Sequence, residues 1–166
     1  YFDQLLKMPE TIGEIRRNTE IDFKYDLKDS KVLVGKLISE LNSKKEEITN
    51  LSEVEFQVFS QWGDDGIIQY IISKLKIPNK TFIEFGVEHY RESNTRFLLI
   101  NNNWAGLVMD GSQDNINYIK KDPISWAHEL YAWPAFITKE NINALIAQFL
   151  ELGYSDEIGI LSIDID

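Results

Sequence analysis

Three apolar runs in this 166-residue chain end in carboxylates, and each ending brings its own chemical capacity. The first, Thr81-Phe82-Ile83-Glu84-Phe85-Gly86, sets a hydrogen-bond acceptor beside a glycine whose backbone can turn sharply and approach a ligand. A plain strand-to-helix turn uses the same pair. The second, Trp104 to Ser112, ends at Asp110 with Gly111 and Ser112 behind it. A carboxylate there can take both hydroxyls of a ribose, or cap the helix that follows. The third, Ile158 to Asp166, puts Asp164 and Asp166 two residues apart, hence on one side of a strand. Neighbouring carboxylates repel unless a cation, proton or donor lies between them. A divalent metal is one solution, an acceptor hydroxyl with a general base another, and a solvated loop position for Asp166 a third. Histidine exchanges protons most readily near neutrality, and His89 follows the first run; a lone loop histidine is more commonly a surface residue. His128, beside Trp126, reads as structural.

Strand ends converge on one ligand in an open parallel sheet, and the chain has the alternation such a sheet needs. A polar turn at residues 59–66 precedes a helix over Ile67–Leu75, which Pro78 and Asn79 close. Strands are predicted at Phe82–Phe85, Gly106–Asp110, Ala135–Thr138 and Ile158–Asp166. Helices are predicted at Asn94–Ile100, at Asp114–Lys121 before Asp122-Pro123, and at Lys139–Leu152 with Gly153 past its end. The pattern predicts an α/β fold with a doubly wound, mostly parallel sheet. Upstream, Leu27, Val34, Leu37, Ile38, Leu41 and Ile48 recur at helical spacing. They predict one amphipathic helix between Phe23 and Leu51, or two broken near Gly35, that packs on the domain or serves as a lid or homodimer contact. Residues 1–55 thus form an N-terminal helical extension and 56–166 the core. A last strand with an uncovered apolar edge, and a start at Tyr1 rather than Met, predict a C-terminally truncated piece of a longer protein. Trp104, Trp126, Trp133 and Phe136 are expected in the core, with one near the third strand able to stack on adenine.

Composition limits the partners. A formal net charge of −10 and no basic stripe argue against nucleic acid. The absence of cysteine excludes disulfides and thiolate zinc sites, and fits a cytoplasmic setting. No apolar run approaches the roughly 20 residues that a membrane span needs.

Taken in order, Ser60-Gln61-x-Gly63-x-Asp65, Phe82-Ile83-Glu84-Phe85-Gly86, Glu92-Ser93-Asn94-Thr95, Trp104 to Asp110 and Leu161-Ser162-Ile163-Asp164-Ile165-Asp166 resemble the FkbM-type family of class I S-adenosylmethionine-dependent methyltransferases. The resemblance covers about residues 59–166. It implies a Rossmann-like methyltransferase core in which Glu84 and Gly86 lie against the methionine part of S-adenosylmethionine. Ser93, Asn94 and Thr95 line the same pocket, with Gln61, Gly111 and Ser112 beside the cofactor, and Asp110 holds the ribose. Asp164 and Asp166 lie near the transferred methyl, with His89 as a helper, and the acceptor is a small molecule or a glycan hydroxyl. Val87, Glu88, His89 and Tyr90 replace the small residues that the family carries after its glycine, so that loop must be shaped differently. A non-catalytic binding or assembly module with the same fold is the alternative. A nicotinamide-dependent oxidoreductase is disfavoured, because residues 86–91 lack the G-x-G-x-x-G glycines that seat a pyrophosphate.

Overall fold

The computed structural model describes residue 27, residues 29–154 and residues 157–164. Helix α1 spans residues 29–43, with Leu27 helical ahead of it. A 3-10 turn at Leu51–Glu53 follows, closed by a capping box between Asn50 and Glu53. Then come α2 (Asp64–Lys74), β1 (Thr81–Phe85), α3 (Arg96–Asn102), β2 (Ala105–Asp110), α4 (Gln113–Lys121), α5 (Ile124–Ala127), β3 (Leu130–Pro134), α6 (Ile142–Leu150) and β4 (Ile160–Ile163). The four strands form one parallel sheet in the order β3-β2-β1-β4. This is the expected α/β, Rossmann-like arrangement.

Strand alternation divides the core into two layers. Phe82, Val108 and Ala132 face one way and meet Leu98, Leu99, Ile116, Ile119 and Ile124 from α3, α4 and α5. Ile83, Phe85, Leu107 and Met109 face the other way, under Phe149 of α6. Both faces are therefore covered, as the near-continuous apolar strands require. Gly106 belongs to the first layer, where the Phe82 ring crosses it.

The structure corrects several expectations. The third strand is Leu130–Pro134, not Ala135–Thr138: Gly106 to Asp110 pair with Leu130 to Pro134. Pro134 fits at the end of β3 because β3 is an edge strand, whose last residue can lack an N–H without harm. Trp126 and Phe136 are not core residues; they are 80% and 81% exposed. Helix α1 continues through Gly35, whose missing Cβ admits Val58 and Phe97 against the helix. Pro123 ends α4 but starts α5, an element without a signal of its own. Helix α6 ends at Leu150 with Glu151 as its C-cap, earlier than expected, and Gly153 (φ 109°) lies in the turn beyond it. Residues 1–26 and Asp166 lie outside the described residues. Among the described residues no helix is long and apolar enough to cross a membrane.

A Cβ on Gly106 would lie 2.1 Å from the Phe82 ring. Gly106→Ala should therefore cost about 1–3 kcal/mol through overpacking, read as a lower midpoint in urea unfolding. An unchanged midpoint would show that Phe82 is free to move aside.

Candidate functional site

Chain order and strand order together define the site's position. From β1 the chain moves outward to β2 and β3, then returns to the other side of β1 for β4. The reversal opens a crevice at the carboxyl ends of β1 and β4, the place where open α/β sheets bind ligands.

Glu84 lies in β1 beside that crevice and is 1% exposed. Five donors surround its carboxylate. Oε2 accepts from Ser93 Oγ at 2.7 Å, Thr95 Oγ1 at 2.5 Å and Thr95 N at 3.2 Å. Oε1 accepts from Asn94 N at 3.0 Å and from Ser162 Oγ at 3.3 Å, on the β4 residue paired with Glu84. The Asn94 and Thr95 N–H groups lead into α3, so a strand carboxylate caps that helix from outside it. The structure thus brings Glu84, Ser93, Asn94 and Thr95 together. Glu84 reaches the crevice through these residues rather than by its own surface.

The Thr95 hydroxyl uses its proton on Glu84, so Tyr90 Oη donates to Thr95 Oγ1 at 3.1 Å. Burial, and then the Glu84 charge, push the Tyr90 phenol well above its usual range, which keeps it a donor. Arg96, also buried, donates to the Tyr90 carbonyl, and its guanidinium lies 5.3 Å from the Phe59 ring and 5.4 Å from the Tyr90 ring. Burial lowers its pKa from the ordinary value, and Asp122, 4.0 Å away, opposes that.

Between Gly86 and Tyr90 the backbone enters the left-handed region three times, at Gly86 (φ 75°), Glu88 (46°) and Tyr90 (55°). Two of these residues carry a Cβ, a conformation that neighbouring contacts must hold. Asp110 supplies one such contact. Its Oδ2 accepts from Glu88 N at 2.8 Å, while Oδ1 accepts from Ser112 N at 2.8 Å and Asn115 Nδ2 at 2.9 Å. Asp110 is therefore not the α4 N-cap; Ser112 is, accepting from Asn115 N. A carboxylate offers about four acceptor sites, so one remains on Oδ2.

The ladder runs one residue past the strands: Gly86 N donates to Met109 O at 3.0 Å and Asp164 N to Phe85 O at 3.3 Å. Asp110, Gly86 and Asp164 consequently stand side by side on three adjacent strands, on the Glu84 side of the sheet. Two strand spacings separate the outer pair, about 10 Å. Gly86, without a Cβ, leaves the space between them open. Phe136 adds a wall: its ring packs on Gly111, 3.4 Å from where a Cβ there would lie. Compared with family models, curated proteins and solved structures, the chain matches none.

The remaining expected residues are more scattered. His89 is exposed and meets the Tyr118 ring edge-on at 4.8 Å, on the α4 side of the crevice. Gln61 is exposed in the turn before α2. The neighbours that made Gln61 conspicuous hold the turn together, since Asp65 Oδ2 accepts from Val58 N, Phe59 N, Ser60 N and Ser60 Oγ. Burial raises the Asp65 pKa against those four donors. Phe59 O in turn accepts from Ser93 N at 3.2 Å, which ties this turn to the Glu84 loop. Among the described residues no three His, Cys, Asp or Glu side chains converge as a metal site. Two concavities of about 280 Å³ lie elsewhere, one between α1 and α2 near Trp104, one along α1. Sequence reasoning missed Ser162, Tyr90, Arg96 and the exposure of Phe136. Strand alternation does set Ser162 on the Asp164 side, but only the register brings it opposite Glu84.

Glu84→Gln keeps the shape but turns an N–H₂ toward donors. It should cost about 2–4 kcal/mol in chemical unfolding, since buried donors lose a charged acceptor, and speed amide exchange at Asn94 and Thr95. Ser162→Ala should cost about 1 kcal/mol. Equal small losses for both would remove Glu84 as the organiser of this loop.

Proposed function

We propose that the chain carries the cofactor half of an S-adenosylmethionine-dependent methyltransferase site of the FkbM type, acting on an oxygen of a small molecule or glycan. The row Asp110–Gly86–Asp164 at the strand-order reversal is the observation that carries this reading. The order β3-β2-β1-β4 is also the opening of the Rossmann order 3-2-1-4-5-6, in which a nucleoside lies across the first two strand ends.

In this reading the free Oδ2 site of Asp110 takes a ribose hydroxyl, and Phe136 offers its exposed ring to the adenine. Gly86 lets the methionine portion lie on the backbone, while Glu84 fixes Ser93–Thr95 along its flank. S-adenosylmethionine, when bound, supplies a methyl group on a positively charged sulfur. Asp164, exposed beyond β4, orients the acceptor hydroxyl and receives its proton, with Asp166 and His89 as auxiliaries. Alignment then does most of the work, as in other in-line displacements. The glycan preference rests on the family resemblance.

A second reading, a binding or assembly module on the same fold, draws on the self-sufficiency of the edge. Glu84 and Asp110 already have partners within the protein, so the loops need no ligand to hold their shape.

Calorimetric titration with S-adenosylhomocysteine and with NAD separates the readings. Binding of the former alone is expected; binding of NAD alone would point to an oxidoreductase, and of neither to the module. Phe136→Ala, at an exposed position, should weaken S-adenosylhomocysteine binding about tenfold, the scale of a lost base–aromatic stack, with an unchanged melting temperature. Asp110→Ala should lower both affinity and stability, by roughly 1.5–3 kcal/mol in affinity. Wild-type affinity in both variants would overturn the assignment.

A further inference from the structure

We propose that the concavity at the amino-terminal edge of the sheet binds a small organic carboxylate, held by Lys80 and Asn102 with its hydrocarbon part on Ile72 and Ile77. The cavity, of about 280 Å³, lies where α1, α2 and the end of α3 come together. Lys80 immediately precedes β1 and Trp104 immediately precedes β2. The cavity therefore stands at the opposite end of the strands from the Asp110–Gly86–Asp164 row.

A chain of amides builds its polar side. Gln69 of α2 is 4% exposed. Its Oε1 accepts from Ser39 Oγ at 3.1 Å and from Asn101 Nδ2 at 3.2 Å, which fixes the sense of the amide. Its Nε2 donates to Asn102 Oδ1 at 2.6 Å. Asn102 is thereby oriented as well: its oxygen faces Gln69, and its Nδ2 has no acceptor among the described residues. The buried glutamine thus holds a neighbouring amide so that its N–H donors stay available at the cavity. The Lys80 ammonium, on an exposed side chain, likewise has no hydrogen-bond or ion-pair partner among the described residues.

Charge selects an anion. Of the described residues that line the cavity, Lys80 alone is charged. Residues 66–83 hold Lys74, Lys76 and Lys80 with no Asp or Glu, and residues 93–109 have no acid either, in a protein of formal net charge −10. The surroundings select a carboxylate over a phosphate. Phosphates favour helix N-termini, whereas α2 ends at Lys74 and α3 at Asn102, so two carbonyl ends with partial negative charge adjoin this cavity. One negative charge is balanced by Lys80; a doubly charged phosphate is not. The two coplanar oxygens of a carboxylate can take an amide N–H and an ammonium N–H together. Ile72 and Ile77, packed on the core layer of α3 and α4, give the hydrocarbon part an apolar wall. Apolar walls with a few placed donors are the usual composition of a small-molecule site.

Nuclear magnetic resonance on the isotope-labelled 166-residue chain tests the proposal, because the side-chain amides of Asn102 and Gln69 report the site directly. Sodium benzoate should shift both sets of amide signals saturably, while sodium chloride at equal ionic strength leaves them in place. Lys80→Met, at an exposed position, should weaken benzoate binding at least tenfold, the scale of one lost charge-assisted hydrogen bond, with an unchanged melting temperature. Asn102→Asp keeps the acceptor for Gln69 and removes the N–H donors, so it should weaken binding by at least as much, with Gln69 as the reporter. No saturable shift up to about 50 mM benzoate, or undiminished binding in both variants, would overturn the proposal. Equal affinity for benzamide would reject it in favour of a neutral ligand, and tighter binding of inorganic phosphate than of benzoate in favour of a phosphate.

Discussion

A buried carboxylate without partners costs more than a domain of this size can spare, and the carboxyl edge is organised around avoiding that cost at Glu84. The side chain is 1% exposed on a central strand, so its donors must come from the protein. The Ser93–Thr95 segment supplies four and Ser162 the fifth, which fixes the entry to α3 and fastens β4 to β1. Thr95 then leaves Tyr90 no choice but to donate, and Tyr90 offers its carbonyl to Arg96. A single ionic requirement thus propagates through strand, loop and helix.

The loop between β1 and α3 stays in place by being held at both ends. Asp110 grips Glu88 N from the neighbouring strand, while Arg96 grips the Tyr90 carbonyl from α3, and both gripped residues have positive φ. Removing either grip lets the backbone relax toward ordinary conformations. Asp65 performs the same service for the preceding turn, collecting the N–H groups of residues 58–60. Carboxylates in this chain fold loops first; chemistry is available to the acceptor sites and the space left over. Asp164 differs, being exposed and hydrogen-bonded through its backbone N–H to the end of β1.

Strands β1 and β2 and the helices α2, α3, α4 and α6 were legible in the sequence, because periodicity and stop signals report local structure. The third strand was not. Its residues Leu130 to Pro134 end in a proline, and only an edge place in the sheet makes that proline harmless. The exposure of Trp126 and Phe136 was hidden too, since an aromatic residue type does not say whether its loop faces in or out. The Ser-Gln-x-Gly-x-Asp pattern stood out, yet Ser60 and Asp65 satisfy one another and the turn between them.

By itself, then, the sequence determined most of the elements (β3 and α5 excepted), the parallel α/β class and the strand-end positions of Glu84, Gly86, Asp110 and Asp164, all consequences of neighbours along the chain. Tertiary structure decided which of those groups are already engaged. Glu84 is enclosed because Ser162, 78 residues on, is brought opposite it by the register of β4. Asp110 is partly engaged because the loop after β1 folds back over β2. Gly86 is open between two carboxylates because β2 and β4 flank β1 on opposite sides. Hydrogen bonds and burial depend on distance in space, and spacing along the chain cannot report that until the strand order is known.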